Sequence, residues 1–338
     1  MQRAEIGMCF DRAFPAAAMP DYARRLESAG VEQLWVIEDC FYTAGVSLAA
    51  TALAVTERLQ VGIGILPAVA RNPAITAMEI ATLCNIAPGR FHPGIGHGVQ
   101  EWMGQMGVRP TSPLATLDET ITVVKRLLAG DEVTFDGREV TLDAVRLDQP
   151  PAPAPAVVAG VQQERSLALA GRVADGVVLV EGAGPTYVNW ALDRAGRPDG
   201  FRVVTFTMMA VDDDRRTAYG FVAPFVAGLI ADRRPAFRVL PFFDEIARRV
   251  DEGGHEVLLD MPADYWAEIG AIGTMDDALA HVAALEAAGV SSINGFPGDE
   301  IGLALEPLPG VGARAARWRG ARAPRGPGGA AGGPGGGG

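Results

Sequence analysis

The chain has 338 residues, is 49% hydrophobic and 21% charged, and carries a formal net charge of −12 at pH 7. That apolar content supports a large buried core in one domain or two, while the acidity argues against nucleic acid as the main partner. No run of eighteen uncharged apolar residues is present to span a membrane.

Taken from the N-terminus, residues 1–6 run directly into a strand-like segment without a basic stretch and an apolar stretch in succession. No secretory signal is therefore expected. Cys9, Cys40 and Cys84 are odd in number and scattered. That pattern fits a reducing, cytoplasmic setting and offers no zinc pair. Short β-type runs lie at 5–10, 33–37, 60–66, 90–95, 156–160, 176–180, 202–211 and 291–295, with helical patterns at 19–29, 73–85, 114–128, 164–171 and 275–288. Alternation of this kind means parallel strands joined by crossover helices. Eight strands favour an α/β fold of the (β/α)8 TIM-barrel type over an open doubly wound sheet. Ala29-Gly30 and Ala288-Gly289 each end a helix where a left-handed cap is wanted.

Two insertions break the beat. Residues 133–136 and 139–142, joined around Gly137, predict a β-hairpin. Residues 213–262 are too long for one crossover and hold an apolar, proline-broken stretch from Phe221 to Phe243, which predicts a helical insertion. The barrel is assigned to residues 1–309. Residues 310–338, rich in Gly and Pro with five arginines and no acid, are expected to be disordered.

The densest chemistry lies in Pro88 to Trp102. A strand ends there in Gly94-Ile95-Gly96-His97-Gly98, and glycines at a strand's C-terminal end let backbone approach a planar ligand. In a barrel that end is the active-site face. His97 and Glu101 follow, four residues apart, as candidates for proton delivery. The spacing is GxGxG after the fourth strand, unlike the dinucleotide fingerprint after the first. A second constellation, Gly160-Val161-Gln162-Gln163 before Glu164, Arg165 and Ser166, sets a strand end against a helix start whose free N–H groups suit a phosphate; Glu164 opposes an anion there and Arg165 favours it. Glu38 and Asp39 end the second strand, followed by Cys40. Gly62, Gly64 and Pro67 mark an irregular third strand. The histidines do not cluster with cysteines or acids, so no metal site is expected.

Several phrases, in order over residues 5–297, resemble the luciferase-like monooxygenase superfamily. They are Arg71-Asn72-Pro73-Ala74, Ala81-Thr82-Leu83, Pro88-Gly89-Arg90-Phe91 through Gly98, Leu169-Ala170-Gly171-Arg172-Val173-Ala174-Asp175-Gly176-Val177, and Gly273-Thr274-Met275 with Ala287-Ala288-Gly289-Val290. Among its members the single-chain deazaflavin enzymes are most similar, namely the methylenetetrahydromethanopterin reductases and the sugar-phosphate and alcohol dehydrogenases. The resemblance implies a barrel that binds coenzyme F420, or FMN in its place, at the C-terminal face. The cofactor would be lined by Asp39, Cys40, Gly64, Pro67, Gly96, Gly98, Val99, Gly160, Val161, Gln162 and Gln163. It also implies a β-bulge or non-proline cis peptide within 62–67 facing the cofactor. The chain departs from the dehydrogenases at two positions: Cys40 stands where they carry a histidine, and Val99 where they carry a glutamate. Their acid/base pair is thus missing, and a hydride acceptor with an imine-like or activated C=C bond is expected. An FMN-dependent monooxygenase using O2 and a non-catalytic flavin-binding barrel are the alternatives. Expected partners are a small-molecule substrate and, where the cofactor is recycled in trans, a separate flavin or F420 reductase, with a homodimer left open.

Overall fold

In a computed structural model, residues 3–180 and 182–296 are described. The strands are β1 (Glu5–Phe10), β2 (Gln33–Val36), β3 (Gln60–Pro67), β4 (Phe91–Gly96), β5 (Val133–Asp136), β6 (Thr141–Val145), β7 (Val158–Gly160), β8 (Gly176–Leu179), β9 (Arg202–Val211), β10 (Gly270–Gly273) and β11 (Ser292–Phe296). The parallel order β1-β2-β3-β4-β7-β8-β9-β11 returns from β11 to β1 and closes a (β/α)8 barrel. These eight are the strands read from the sequence. β10 was not expected: β9 is long enough for its first half to pair with β11 and its end, Met208–Val211, with β10. A four-residue strand with glycine at both ends gives little periodic signal.

Apolar side chains between strands and helices form the main core, and a second cluster of Cys9, Trp35, Val158, Val178, Val204 and Phe206 fills the barrel interior. Beneath it the floor is polar. Glu5 accepts hydrogen bonds from Gln33 and, at 2.7 Å, from Gln60. Arg202 donates to His92 Nδ1 at 3.0 Å, so His92 Nε2–H donates to Gln60 Oε1 at 2.6 Å. Trp35 Nε1 and Ser292 Oγ both donate to Gln33 Oε1, at 2.9 and 2.5 Å. Six of the eight strands thus tie the N-terminal end of the barrel together with satisfied buried polar groups.

The helix caps Gly30 and Gly289 have φ of 72° and 98°, as expected of left-handed caps. The hairpin forms, but its second strand starts at Thr141, two residues late. The Glu119 carboxylate accepts from the amides of Arg138, Glu139 and Val140 at 2.9, 2.8 and 2.8 Å, which takes those donors away from the ladder. The insertion is helical, with helices Arg215–Ala231, Pro235–Arg238 and Phe243–Gly253. Its first helix continues through Pro224, so the expected proline break falls at Pro235 instead, at a helix start that needs no proline N–H. His281 is fully buried on the helix Met275–Ala287. Among the described residues no helix is long and apolar enough to cross a membrane. The tail expectation lies outside the described residues.

Candidate active site at the C-terminal rim

The rim is built where β3, β4 and β7 end side by side. Gly94–Gly98 lies at this C-terminal end, as the sequence reading required. β3 leaves its register with β4 between Ile63 and Leu66, and the Gly64–Ile65 peptide bond is cis. Both irregularities expected within 62–67 are therefore present. Pro93 stands at the last regular position, opposite Ile63. With no N–H to donate, it cannot hold β3 in register there.

Ile65 lies across the glycines of the neighbouring strands. A Cβ added to Gly160 would meet Ile65 Cγ2 at 2.4 Å, and one on Gly96 would meet Ile65 Cγ1 at 2.9 Å and the Gly160 carbonyl oxygen at 2.7 Å. The sequence reading gave Gly160 to close approach by an anion. In the structure the first neighbour of its missing side chain is Ile65, so the glycine also serves strand packing. Gly98 has φ of 67° where the chain turns away from β4, and its missing Cβ faces Pro67 at 2.9 Å. Pro67 therefore supports the glycine loop from below.

After that loop, His97 Nε2 lies 2.9 Å from Ser166 Oγ, on the first turn of the helix Glu164–Val173. Burial holds the imidazole below the ordinary histidine range, with the Pro113 backbone opposing weakly. A neutral His97 thus ties the β4 loop to the helix that follows β7. Glu101 is exposed in the first turn of the helix Gln100–Gln105 and has no ion pair with His97. Sequence spacing suggested a His97–Glu101 pair; the structure replaces Glu101 by Ser166, 69 residues away. Gln100 reaches back to the His97 carbonyl at 3.2 Å, while its Oε1 is buried without a hydrogen-bond partner.

The turn after β7 is held by Tyr187, whose hydroxyl donates to the Gln162 carbonyl at 2.8 Å. Val161 is buried and Gln163 is exposed as an N-cap that makes no side-chain cap. The first amides of the helix Glu164–Val173 are therefore left to solvent or a ligand. Glu164, the acid that spoke against an anion here, is neutralised by Arg194 at 3.0 Å.

At the end of β2 the two acids have partners that sequence reasoning missed. Glu38 is bidentate to Arg71, at 2.5 and 2.9 Å, and also accepts from the Gly45 amide at 2.8 Å. Asp39 accepts from Arg12 at 2.8 Å. The available signal was Arg71 itself, which opens one of the quoted phrases. Cys40 is half-buried, its thiol pushed up by burial and by Glu38 and Asp39. Thr43 Oγ1, on the same loop, is buried without a partner. Of the sequence candidates, Gly96 and Gly160 meet Ile65, Gly64 precedes it in β3, and Gly98 meets Pro67 at the end of that strand. Asp39 and Cys40 border them from β2, and Val99, Val161, Gln162 and Gln163 from the loops after β4 and β7. Glu101 stands outside the group.

These residues fit a flavin-type cofactor. A glycine shelf offers a flat approach, an uncapped helix start offers amides to a phosphate, and Thr43 Oγ1 and Gln100 Oε1 are orphaned polar atoms near the mouth. Among the described residues, no three His, Cys, Asp or Glu side chains gather as a metal site.

The sequence model of luciferase-like monooxygenases matches residues 4–292. The 5,10-methylenetetrahydromethanopterin reductase of Methanolobus tindarius is 30% identical over 234 residues, covering 67% of this chain and 71% of that protein. An F420-dependent glucose-6-phosphate dehydrogenase of Kineococcus radiotolerans is 32% identical over 190 residues, covering 51% of this chain and 54% of that protein. The structure of the coenzyme F420-dependent tetrahydromethanopterin reductase of Methanopyrus kandleri superimposes with a TM-score of 0.72 at 21% identity, covering 93% of this chain and 98% of that one.

Proposed function

Since this chain belongs to the luciferase-like monooxygenase family, we propose that it is an oxidoreductase transferring hydride between reduced coenzyme F420 and a small organic substrate. The observation that carries the reading is the joint at the rim. There a shelf of Ile65 with Gly94, Gly96 and Gly160 adjoins the open start of the helix Glu164–Val173. The similarity to F420-dependent enzymes supports the deazaflavin over FMN. When bound, the deazaflavin supplies the hydride; the protein supplies position and electrostatics.

In this reading Ile65 and the glycines present an apolar face to the ring. The amides of Gly160 to Gln163 and of the helix start hold the phosphate, helped by Ser166. His97 orients the Ser166 hydroxyl and, being neutral and buried, keeps a charge out of the shelf. Asp39 and Cys40 close the β2 side. Glu101 is exposed to solvent outside the shelf. Cys40 and Val99 offer no strong acid or base at the rim, which favours acceptors that need little proton transfer during hydride addition.

The test is titration of the apo-protein with F420 and with FMN, followed by fluorescence. F420 is expected to bind at least about tenfold tighter, a difference of about 1.4 kcal/mol. Anaerobic consumption of reduced F420 should proceed without O2. Tighter binding of FMN together with an O2 requirement would instead establish a monooxygenase, and cofactor binding without turnover a carrier barrel.

A further inference from the structure

Two exposed side chains at the rim are left unused by the cofactor reading, and a third, Val99, borders the cofactor. Phe41 and Tyr42 follow Cys40 on the loop leaving β2 and are 66% and 55% exposed; Val99, on the loop leaving β4, is 44% exposed. Both loops fold onto β3. A Cβ on Gly45 would meet Ile63 Cγ2 at 3.1 Å, and one on Gly98 would meet Pro67 Cβ at 2.9 Å. β2 and β4 are the two neighbours of β3, so the loops that carry these three side chains leave the barrel on either side of the strand that holds Ile65.

Their electrostatic setting is restrictive. Arg12 is committed to Asp39 and lies 5.0 Å from the Tyr42 ring centroid, while Arg71 is committed to Glu38 and Glu79. Neither cation is free for a substrate phosphate. Glu101, within a turn of Val99, is exposed and repels anions. Exposed apolar side chains at the mouth of a cofactor site are surface that an apolar ligand would cover.

We propose that the hydride acceptor is an uncharged, apolar molecule of about aromatic-ring size, seated between Phe41, Tyr42 and Val99 beside Ile65. This rests on the rim being the active site. A hydride added to one end of an activated C=C or C=N bond moves its π electrons to the other end. That end takes a proton from water, and the reduced deazaflavin is left oxidised. A sugar phosphate does not suit this surface.

The experiment uses the full chain and N-phenyl-1-naphthylamine, an uncharged fluorescent aromatic, with and without F420. Saturable binding is expected, and Phe41→Ser should weaken it about tenfold, the equivalent of losing most of one buried aromatic contact. F420 affinity of that variant should stay within about twofold, since Phe41 supports nothing in the core. Val99→Asp, placing a charge on the opposite side, should weaken the probe as well. Glucose 6-phosphate should not displace it. Unchanged probe affinity in both variants, or displacement by glucose 6-phosphate, overturns the proposal. If F420 fails to bind wild type while probe binding still depends on Phe41, the cofactor reading falls and the apolar rim stands.

Discussion

Burial holds three histidines below their ordinary range. His281 is pushed down to about 4, and His92, beside Arg202, to about 3; His97 moves the same way. An unfolded histidine takes up its proton near pH 6.5, well before these native ones do. The unfolded state therefore gains protons first on acidification. The contribution of His92 and His281 is complete above about pH 6.5 and drains as pH falls toward 4, at up to about 1.4 kcal/mol per pH unit for each of the two. The thermal midpoint should drop over that window, and His281→Gln, which can still donate to the Ala267 carbonyl now 2.6 Å from Nδ1, should flatten the drop. A slope equal to wild type's would show that His281 is not its source. At the rim, His97→Ala and Ser166→Ala should each weaken F420 binding about tenfold, as loss of an oriented hydroxyl would. The double variant should be little worse than either single one, because both remove the same unit. Titration of all three proteins checks this; additive losses would separate the two residues.

Between elements, the decisive contact is Ile65 of β3 against Gly160 of β7. Overpacking a closed interior costs about 1–3 kcal/mol. Gly160→Ala is expected to lose that much in urea unfolding, and Ile65→Ala in the same chain should recover most of it. If Gly160→Ala keeps full stability but releases the cofactor, the glycine is bare for the ligand and not for Ile65. The hairpin offers a parallel case. Its strands were readable from alternation around Gly137, but its register was not, since Glu119 lies on the helix Pro113–Leu128 and captures three amides from a distance. A hydrophobic pattern sets which residues face inward; it does not say where a remote carboxylate will compete with the ladder.

Across the whole molecule, charge is unevenly spread. The adjacent helices Gly45–Ala54 and Pro73–Ile86 contain Glu79 as their one charged residue, and it is paired with Arg71. Yet Ile75, Met78 and Ile86 are exposed on the second helix. Two copies with a net charge of −12 repel each other over most of their surfaces, so an uncharged face is where a second copy is expected to pack. Sedimentation should show a dimer, and Met78→Glu should shift it toward monomer with the barrel intact. A monomeric wild type at micromolar concentration would refute this.

The sequence alone determined the eight barrel strands, five of the helices between them, the left-handed caps at Gly30 and Gly289, and the glycine run at the end of β4. Each follows from periodicity or turn chemistry within a dozen residues. It also placed Gly64, Pro67, Gly96, Gly98 and Gly160 at one rim, because a closed parallel barrel sends every strand's C-terminal end to the same face. Tertiary structure alone decided the partners. Arg71 meets Glu38 across 33 residues, Arg12 meets Asp39 across 27, and Ser166 meets His97 across 69. It likewise decided that Ile65 fills the space beside Gly160, and that β10 extends the sheet along β9. Hydrogen bonds and packing act over a few ångströms in space, and barrel closure brings together residues whose separation along the chain leaves no local pattern to read.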